Sequence, residues 1–499
     1  MITWAAIFRA LQAIAVPLLF AWVARHFAGN QKESTPPSLY LPMLTDIGFV
    51  PRSFPVTYRT DAPEFEDYTR VATVQNLTAS PDTTAVILNW SRFPNVLLIT
   101  SLLCGSWLED TIAEVFIWNN SPRKLRYDDF KNTGCPKRKL RIHNAPANMY
   151  FQARFIACAL AETPNCFIQD DDYLIRSEII KSLHARITDH GSSPAIHLLP
   201  PHEHLSSSLS EIHVPARDTA YLSDVHTSFA WLGYGTMLRR AEMADNYFTI
   251  LSNRVPEIWF DQGFELGGGQ AFTAGPEGDE RNAKYIHKAT QYLSALVHCG
   301  RSSCNLPEGD DIVVHAKVPY ISLDSAYSPT AWTRAACRGS ACVLETNIRL
   351  LPESISHSGE DAEDILSLVK RNLETLGEAR KQEYIEQPPS YAVDSVPATS
   401  FRSPRPAKMG DTFGLDSLTD ISDAREWTAV EMAWLIDPDT ENILNACAFE
   451  WSTDNVTWHS SPHRPVCDNT AMEIPSAGGE QRHLRECSAR MVLASVEFI

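Results

Sequence analysis

A chain of 499 residues, 44% hydrophobic and 21% charged, is ordinary globular material, enough for two or three domains rather than one. Its formal net charge of −18 argues against a nucleic-acid surface, because a phosphate backbone calls for a basic face. Acidic balance otherwise signals little more than solubility.

Residues 2–23 are almost continuously apolar, long enough to span a bilayer if Arg9 snorkels to the N-terminal interface. With the polar, Pro-containing stretch from Gly29 to Pro37 behind it, this is the layout of a single-pass signal anchor (1–28) and stem (29–82), a cleaved signal peptide being the alternative. The flanking charges, Arg9 on one side and Arg25, His26 and Lys32 on the other, do not set orientation. Among eleven cysteines, Cys299/Cys304 and Cys337/Cys342 form close pairs, and Cys447, Cys467 and Cys487 cluster near the C-terminus. Disulfides in an oxidising lumen explain that usage best, with a four-cysteine zinc site as the rival. Sequons at Asn76 and Asn455 fit the same compartment, while the one at Asn89 lies in an expected buried strand. The expected location is therefore the Golgi or endoplasmic reticulum membrane with the main folded part lumenal, or secretion if the leader is cleaved.

Order begins at 84–90, a buried-type strand, and Ser91-Arg92-Phe93-Pro94-Asn95 opens a helix to about Cys104. A second strand, 112–118, ends in the amide-bearing turn Asn119-Asn120-Ser121-Pro122. After a basic loop (124–141) comes a short strand over 140–143. A helix is expected over 144–163, with Tyr150, Phe151, Phe155, Ile156 and Leu160 on its buried side. Strand, helix, strand, polar turn is the opening of a doubly wound α/β sheet.

The chain then reaches Asn165-Cys-Phe-Ile-Gln-Asp170-Asp171-Asp172, an apolar run ending in three consecutive carboxylates. Adjacent anions repel one another and are costly to desolvate without a cation, so their place at a strand end points to a divalent metal. Oxygen-only ligation favours a hard ion, Mn2+ or Mg2+. The bland alternative is that Asp171 or Asp172 caps the helix that follows. Convergence favours the metal: in open α/β sheets ligands sit beyond the carboxyl ends of strands, and Arg92, Asn119, Asn120 and the triplet all fall at such ends.

The blocks Val86 to Leu97 with Arg92, Glu114 to Asn120, Asn144 to Phe155 with Arg154, and Phe167 to Asp172 together resemble the nucleotide-sugar half of the exostosin-type glycosyltransferases, over roughly residues 83–270. The resemblance implies a GT-A fold, a doubly wound mixed sheet, in which Arg92, Asn119 or Asn120, and Arg154 contact the nucleotide. It also implies that Asp170 and Asp172 hold the ribose, Mn2+ and diphosphate, with Asp171 beside them. A carboxylate-held divalent ion bridging the diphosphate stabilises the leaving group when the anomeric bond breaks. Arg154 adds a permanently charged planar donor.

Further on, 195–199 reads as a strand, followed by Pro200-Pro201-His202-Glu203-His204 and a Ser-rich loop. Histidines 197, 202, 204 and 213 are too irregularly spaced for a metal set. Phe229 to Leu238 resembles the family's block before the acceptor site. In the aromatic segment 256–266, Asp261 is the candidate active-site carboxylate, with a helix cap as its alternative, since the family's Cys-Glu-Asp string is absent. Gly267-Gly268-Gly269 carries no dinucleotide pattern. A strand is expected at 311–317, and the domain runs to about 350. An amphipathic acidic helix (351–386) and a Pro-rich linker (387–407) follow. Beyond it, alternating runs at 413–418, 427–435, 446–452 and 491–498 suggest an all-β sandwich (408–499), with Phe449 to Trp458 resembling the strand-turn-Trp unit of discoidin-like domains.

The chain thus reads as a membrane-anchored glycosyltransferase, with no nucleic acid involved. The resemblance implies a retaining, metal-dependent enzyme that moves a sugar of N-acetylhexosamine type from a UDP-sugar donor to a glycan or glycoconjugate acceptor. The alternatives are a non-catalytic carbohydrate-binding or scaffold protein with the same fold, and a hydrolase using Asp172 and Asp261 as a carboxylate pair.

Overall fold

The structure, a computed structural model, describes residues 80–188, 195–214, 225–239, 250, 257–261, 263–267, 276–298, 332–352, 355, 365–418, 429–452, 457–460, 466–467, 472–475 and 481–492. The apolar segment 2–23, the sequons at Asn76 and Asn455, the Cys299/Cys304 pair and the strand expected at 311–317 lie outside the described residues. Among the described residues no helix is long and apolar enough to cross a membrane.

The first half supplies β1 (Thr83–Asn89), α1 (Phe93–Leu103), β2 (Ile112–Asn119), β3 (Leu140–Asn144), α2 (Ala153–Leu160), β4 (Asn165–Gln169), β5 (Tyr173–Leu174), α3 (Ser177–Thr188), β6 (Ala195–Leu199), α4 (Pro201–Leu209), β7 (Ile212–Val214), β8 (Val225–Thr227) and β9 (Thr236–Arg239). Then come β10 (Glu257–Phe260), β11 (Phe264–Glu265), α5 (Pro276–His298), β12 (Thr333–Ala336), β13 (Cys342–Thr346), α6 (Ile365–Leu376), α7 (Glu378–Glu386) and β14 (Phe413–Ser417). Ten strands form one sheet in the order β14-β13-β12-β10-β6-β9-β4-β1-β2-β3. Strands β3, β2, β1 and β4 are mutually parallel, as are β6, β10 and β12, and the antiparallel β9 joins the two sets. The expected mixed α/β sheet is therefore present. Every residue of β1 and β4 is buried, as a parallel strand covered by helices on both faces must be. Ile87, Phe167, Ile117 and Trp259 pack with α1 and α3 on one face, and Val86, Phe116 and Ile168 pack with Ala153 and Ala157 of α2 on the other.

Three local expectations change. The helix expected over 144–163 is only α2, preceded by a short 3-10 turn at Tyr150–Gln152. Asn120 claims the backbone ahead of it by accepting from Met149 N (3.1 Å) and donating to Tyr150 O (3.2 Å). Tyr150 takes a left-handed φ of 52°, and its ring and Leu160 are exposed. The Ser-rich stretch after Pro200 is not a loop but α4, opened by a proline at its start. The segment 387–407 is not a free linker: Val393 O accepts from Arg338 N at 2.8 Å and Asp394 is buried.

The run 413–417, expected in the C-terminal module, is instead the edge strand of the main sheet, paired antiparallel with β13. Thr346 Oγ1 to Thr412 O and Asn347 Nδ2 to Gly410 O fasten it there. Strand-type alternation does not say which sheet a strand joins. The C-terminal residues form separate antiparallel sheets: β15 (Ala429–Ile436) and β18 (Val466–Cys467) flank β20 (Gln481–Val492), which also pairs with β19 (Met472–Pro475). A small hairpin, β16 (Glu450–Trp451) with β17 (His459–Ser460), and a helix, α8 (Glu441–Ala446), complete them. Trp458 is exposed, and Trp451 lies against His459. Among the described residues the disulfides are Cys104–Cys135, Cys158–Cys166, Cys337–Cys342 and Cys467–Cys487. Cys447 is an exposed free thiol.

Candidate active site

The chain steps outward from β1 to β2 to β3 and then returns to lay β4 on the opposite flank of β1. Beyond the carboxyl ends of β1 and β4 lies a topological switch point, where a crevice opens because the connections leave in opposite directions. Arg92 follows β1 and the Asp triplet follows β4, so both face this crevice. The register fixes their level, with Ile87 opposite Gln169 and Asn89 opposite Asn119.

Arg92 Nη1 lies 2.9 Å from Asp171 Oδ1 and 3.1 Å from Asp172 Oδ2. Arg154, from the first turn of α2, reaches both oxygens of Asp170 at 2.5 Å. The Arg154 side chain is 7% exposed, whereas those of Asp170 and Asp172 are 29% and 26% exposed. The remaining oxygen, Asp172 Oδ1, is buried without a hydrogen-bond partner. Burial, with repulsion from neighbouring carboxylates, raises Asp171 to about 6 and Asp172 to about 7, despite Arg92 pulling the other way. Burial opposes the charge of Arg92, yet Asp172 and Asp171 more than offset that and raise its pKa. Among the described residues, no three His, Cys, Asp or Glu side chains are arranged as a ready metal cage; all three carboxylates of the triplet turn an oxygen to an arginine.

The backbone around the triplet is pinned from two sides. Asn95, in the first turn of α1, donates to Asp171 O (2.9 Å) and Gly267 O (2.7 Å). Asp170 N donates to Gly233 O (2.9 Å), and a Cβ on Gly233 would overlap Asp170 Oδ2. Glycine is needed there because the backbone passes directly over a carboxylate.

Asn119 and Asn120 lie at the expected edge, but their side chains are committed within the protein. Asn89 Nδ2 donates to Asn119 Oδ1, and Asn119 Nδ2 donates to Asn144 Oδ1, each at 2.7 Å, a buried amide ladder across three strand ends. Asn119 also donates to Arg123 O (2.6 Å) and so ties down the following loop. Asn120 Oδ1 accepts from Trp118 Nε1 and Met149 N.

Asp261 follows β10 at the same edge of the sheet, and the segment after it is tied to the triplet by pairing. Strand β11 lies antiparallel to β5, immediately after the triplet, and Leu266 N donates to Asp172 O at 2.7 Å. The Asp261 carboxylate is nearly buried, accepting from Gly263 N (3.3 Å) and Arg338 Nη2 (3.4 Å). Arg338 sits in the turn between β12 and β13, closed by Cys337–Cys342. The next residue, Gly339, donates its N–H to Glu178 Oε1 (3.3 Å), while Glu178 Oε2 is buried without a partner. Burial, with repulsion from Asp261 adding to it, raises the Glu178 pKa. Tyr173, next to Asp172 in the chain, and Tyr234 meet with ring centroids 4.6 Å apart and planes tilted by 50°. Burial and the carboxylates Asp172 and Glu265 push Tyr173 up to about 12.

Residue types alone did not single out Asn95, Gly233, Glu178, Arg338 or the Asn89–Asn119–Asn144 ladder. The pattern Gly233-Tyr-Gly235 was the one available signal, since Gly235 takes a φ of +135° against Ile175 and Leu198.

No family model matches this chain, and no curated protein matches it. Solved structures with partial likeness include a mannosyltransferase from Pyrobaculum calidifontis in complex with GDP-Man and Mn2+. It is 12% identical, covers 59% of this chain and 77% of that one, and has a TM-score of 0.30. Another is S. aureus TarS in complex with UDP-GlcNAc, 14% identical over 42% of this chain and 65% of that one, with a TM-score of 0.29. GalNAc-T7 with UDP, GalNAc and Mn2+ is 12% identical over 43% of this chain and 50% of that one, with a TM-score of 0.25. The chain thus spans less than two thirds of the TarS and GalNAc-T7 chains, and TM-scores of this size carry no argument about its chemistry.

Proposed function

We propose that this chain is a metal-dependent glycosyltransferase of GT-A type that uses a UDP-sugar donor. The observation that carries the reading is the meeting, at the switch point of a mixed α/β sheet, of three carboxylates, two guanidiniums and one orphaned carboxylate oxygen, Asp172 Oδ1. Residues fit a hard divalent ion, Mn2+ or Mg2+: Asp172 offers an unpaired oxygen, and such ions bind through one or two carboxylates, with the remaining positions left to phosphate and water. Asp172 would hold the ion and Asp170, fixed by Arg154, would stand beside it toward the ribose. When bound, the ion neutralises charge on the departing diphosphate.

The chain's own residues do the rest. Arg92 supplies a mobile positive charge at the phosphate position. Arg154 locks Asp170, and the amide ladder through Asn119, with Asn120 beside it, holds the nucleotide-side edge rigid. Asp261, held by Arg338 Nη2 at 3.4 Å, would face the acceptor side, where it can orient a hydroxyl or support developing positive charge on the transferred sugar. The resemblance to the exostosin type favours a retaining outcome and an N-acetylhexosamine donor. Four disulfides within the described residues support an oxidising compartment, so the reading extends to a lumenal enzyme of the Golgi or endoplasmic reticulum anchored by residues 2–23.

A panel of UDP- and GDP-sugars, incubated with the purified protein with and without Mn2+, tests it by donor hydrolysis or transfer. Mn2+-dependent turnover of a UDP-sugar, lowered at least a hundredfold in Asp172→Ala, is expected. Turnover that ignores Mn2+ and Asp172, or UDP binding with no turnover of any donor, would sink the enzyme reading.

A further inference from the structure

The two arginines at the triplet are held differently. Arg154 grips both oxygens of Asp170 at 2.5 Å, is almost wholly buried, and is closed over by Gly233. Arg92 instead spreads one nitrogen over two carboxylates, 2.9 Å from Asp171 and 3.1 Å from Asp172. The backbone beside that contact is pinned, because Asn95 ties Asp171 O and Gly267 O to α1. The Arg92 side chain, 11% exposed, reaches the contact as a long arm from the residue that opens α1, so an adjustment there falls to side-chain rotation.

We propose that Arg92 is an exchangeable internal cation: it occupies the charge position of the divalent ion in the free protein and passes to the donor diphosphate on binding, coupling metal to nucleotide. The proposal rests on the metal and nucleotide-sugar reading above. Charge balance supplies its logic. Three carboxylates against two guanidiniums leave one unit of negative charge in a partly buried site. A divalent ion added alone turns that into an excess positive charge, repelled by Arg92, which holds the other oxygen of the same carboxylate at 3.1 Å. A diphosphate arriving with the ion gives Arg92 an anionic partner of its own, and the repulsion disappears. Each ligand therefore strengthens the other, and by linkage the two enhancements are equal.

Calorimetric titration of the full chain with MnCl2 alone, UDP alone, and each in the presence of the other tests this in the wild type, Arg92→Gln, Arg92→Lys and Asp172→Asn. In the wild type, UDP is expected to tighten Mn2+ by roughly tenfold, and Mn2+ to tighten UDP equally. In Arg92→Gln, Mn2+ alone should bind roughly tenfold tighter than in the wild type, while the mutual enhancement shrinks toward one. Arg92→Lys, which keeps the charge but not the planar fork, should retain most of the coupling and guards against a Gln variant that fails to fold. If Mn2+ binds through Asp172 but Arg92→Gln leaves its affinity unchanged or weaker, the exchange proposal fails while the metal reading stands. If neither the wild type nor Arg92→Gln binds Mn2+, the metal reading fails and takes the proposal with it.

Discussion

The two walls of the crevice deal with buried negative charge in opposite ways. On the β1/β4 side, three carboxylates sit against two close arginines, and the pairs are short. On the β10/β11 side the contacts are longer: Asp261 has Arg338 at 3.4 Å, and Glu178 behind it has Arg176 at 3.7 Å and one oxygen buried without a hydrogen-bond partner. Electrostatic organisation thus concentrates where a nucleotide diphosphate and metal would sit, while the facing wall is held by backbone pairing between β11 and β5. A wall built from charge pairs is exchangeable by ligand charge, whereas a wall built from strand pairing is a fixed surface.

Removing Arg154 breaks this comparison most severely. Arg154→Ala leaves Asp170 unpaired beneath Gly233, and loss of one partner from a largely buried pair costs about 3 kcal/mol. Urea unfolding should show that loss together with loss of UDP binding. Equal destabilisation by Arg338→Ala would show that the two walls are not different in kind.

The walls also differ in the sign of their pH dependence. Asp171 and Asp172 carry folded pKa values of about 6 and 7, above their unfolded value near 3.8. Their contribution to stability is full below the unfolded value and is lost as pH rises through 6 to 7. His204, stacked at 3.8 Å on Phe260 next to Asp261 and hydrogen-bonded to Tyr384 (2.5 Å), is driven by burial to about 3, as is His197. Between pH 6.5 and 3 the unfolded chain binds protons that these folded histidines refuse, so stability falls with acidification, by up to ~1.4 kcal/mol per pH unit for each histidine. Melting temperatures followed from pH 7 to 4 should fall less steeply in His204→Gln than in the wild type. Identical slopes would mean that His204 is not buried neutral.

Much of this was readable in the sequence because parallel sheets write themselves plainly. Continuous apolar runs at Thr83–Asn89, Ile112–Asn119 and Asn165–Gln169, each followed by polar residues, place Arg92, Asn119 and the triplet at strand ends without tertiary information. What was not readable depends on side chains choosing partners across the fold. Asn120 takes the backbone at Met149 and Tyr150 and shortens the expected helix. Asn119 spends itself on Asn89, Asn144 and Arg123. Arg338 lies 77 residues from Asp261 in sequence, and nothing local to either announces the contact. Strand β14 misled because alternation is the same whether the strand joins the large sheet or a small one.

Arg338→Ala gives a smaller effect than Arg154→Ala, about 1 kcal/mol in unfolding free energy, since the contact is long and a quarter of the Arg338 side chain is exposed. Its mark should fall on turnover rather than on UDP affinity, because Arg338 faces only the Asp261 wall. A drop in UDP affinity matching the drop in turnover would place Arg338 with the nucleotide side instead.

Glu178→Gln should have the smallest effect and the sharpest sign. Burial raises the Glu178 pKa, with Asp261 adding to it, so whatever the neutral acid contributes is full below about 4.5 and is lost as pH rises through the folded value. Glutamine keeps the shape and the acceptor for Gly339 N–H without ever carrying that charge. The variant should match the wild type below about pH 4.5 and gain on it as pH rises through the folded value, by up to about 1 kcal/mol. If Glu178→Gln is instead destabilised at pH 8, Arg176, 3.7 Å from Glu178 Oε1, is a partner strong enough to repay the burial of the ionised carboxylate. The Asp261 wall would then be charge-compensated like the triplet wall, and the contrast between the two sides of the crevice would close.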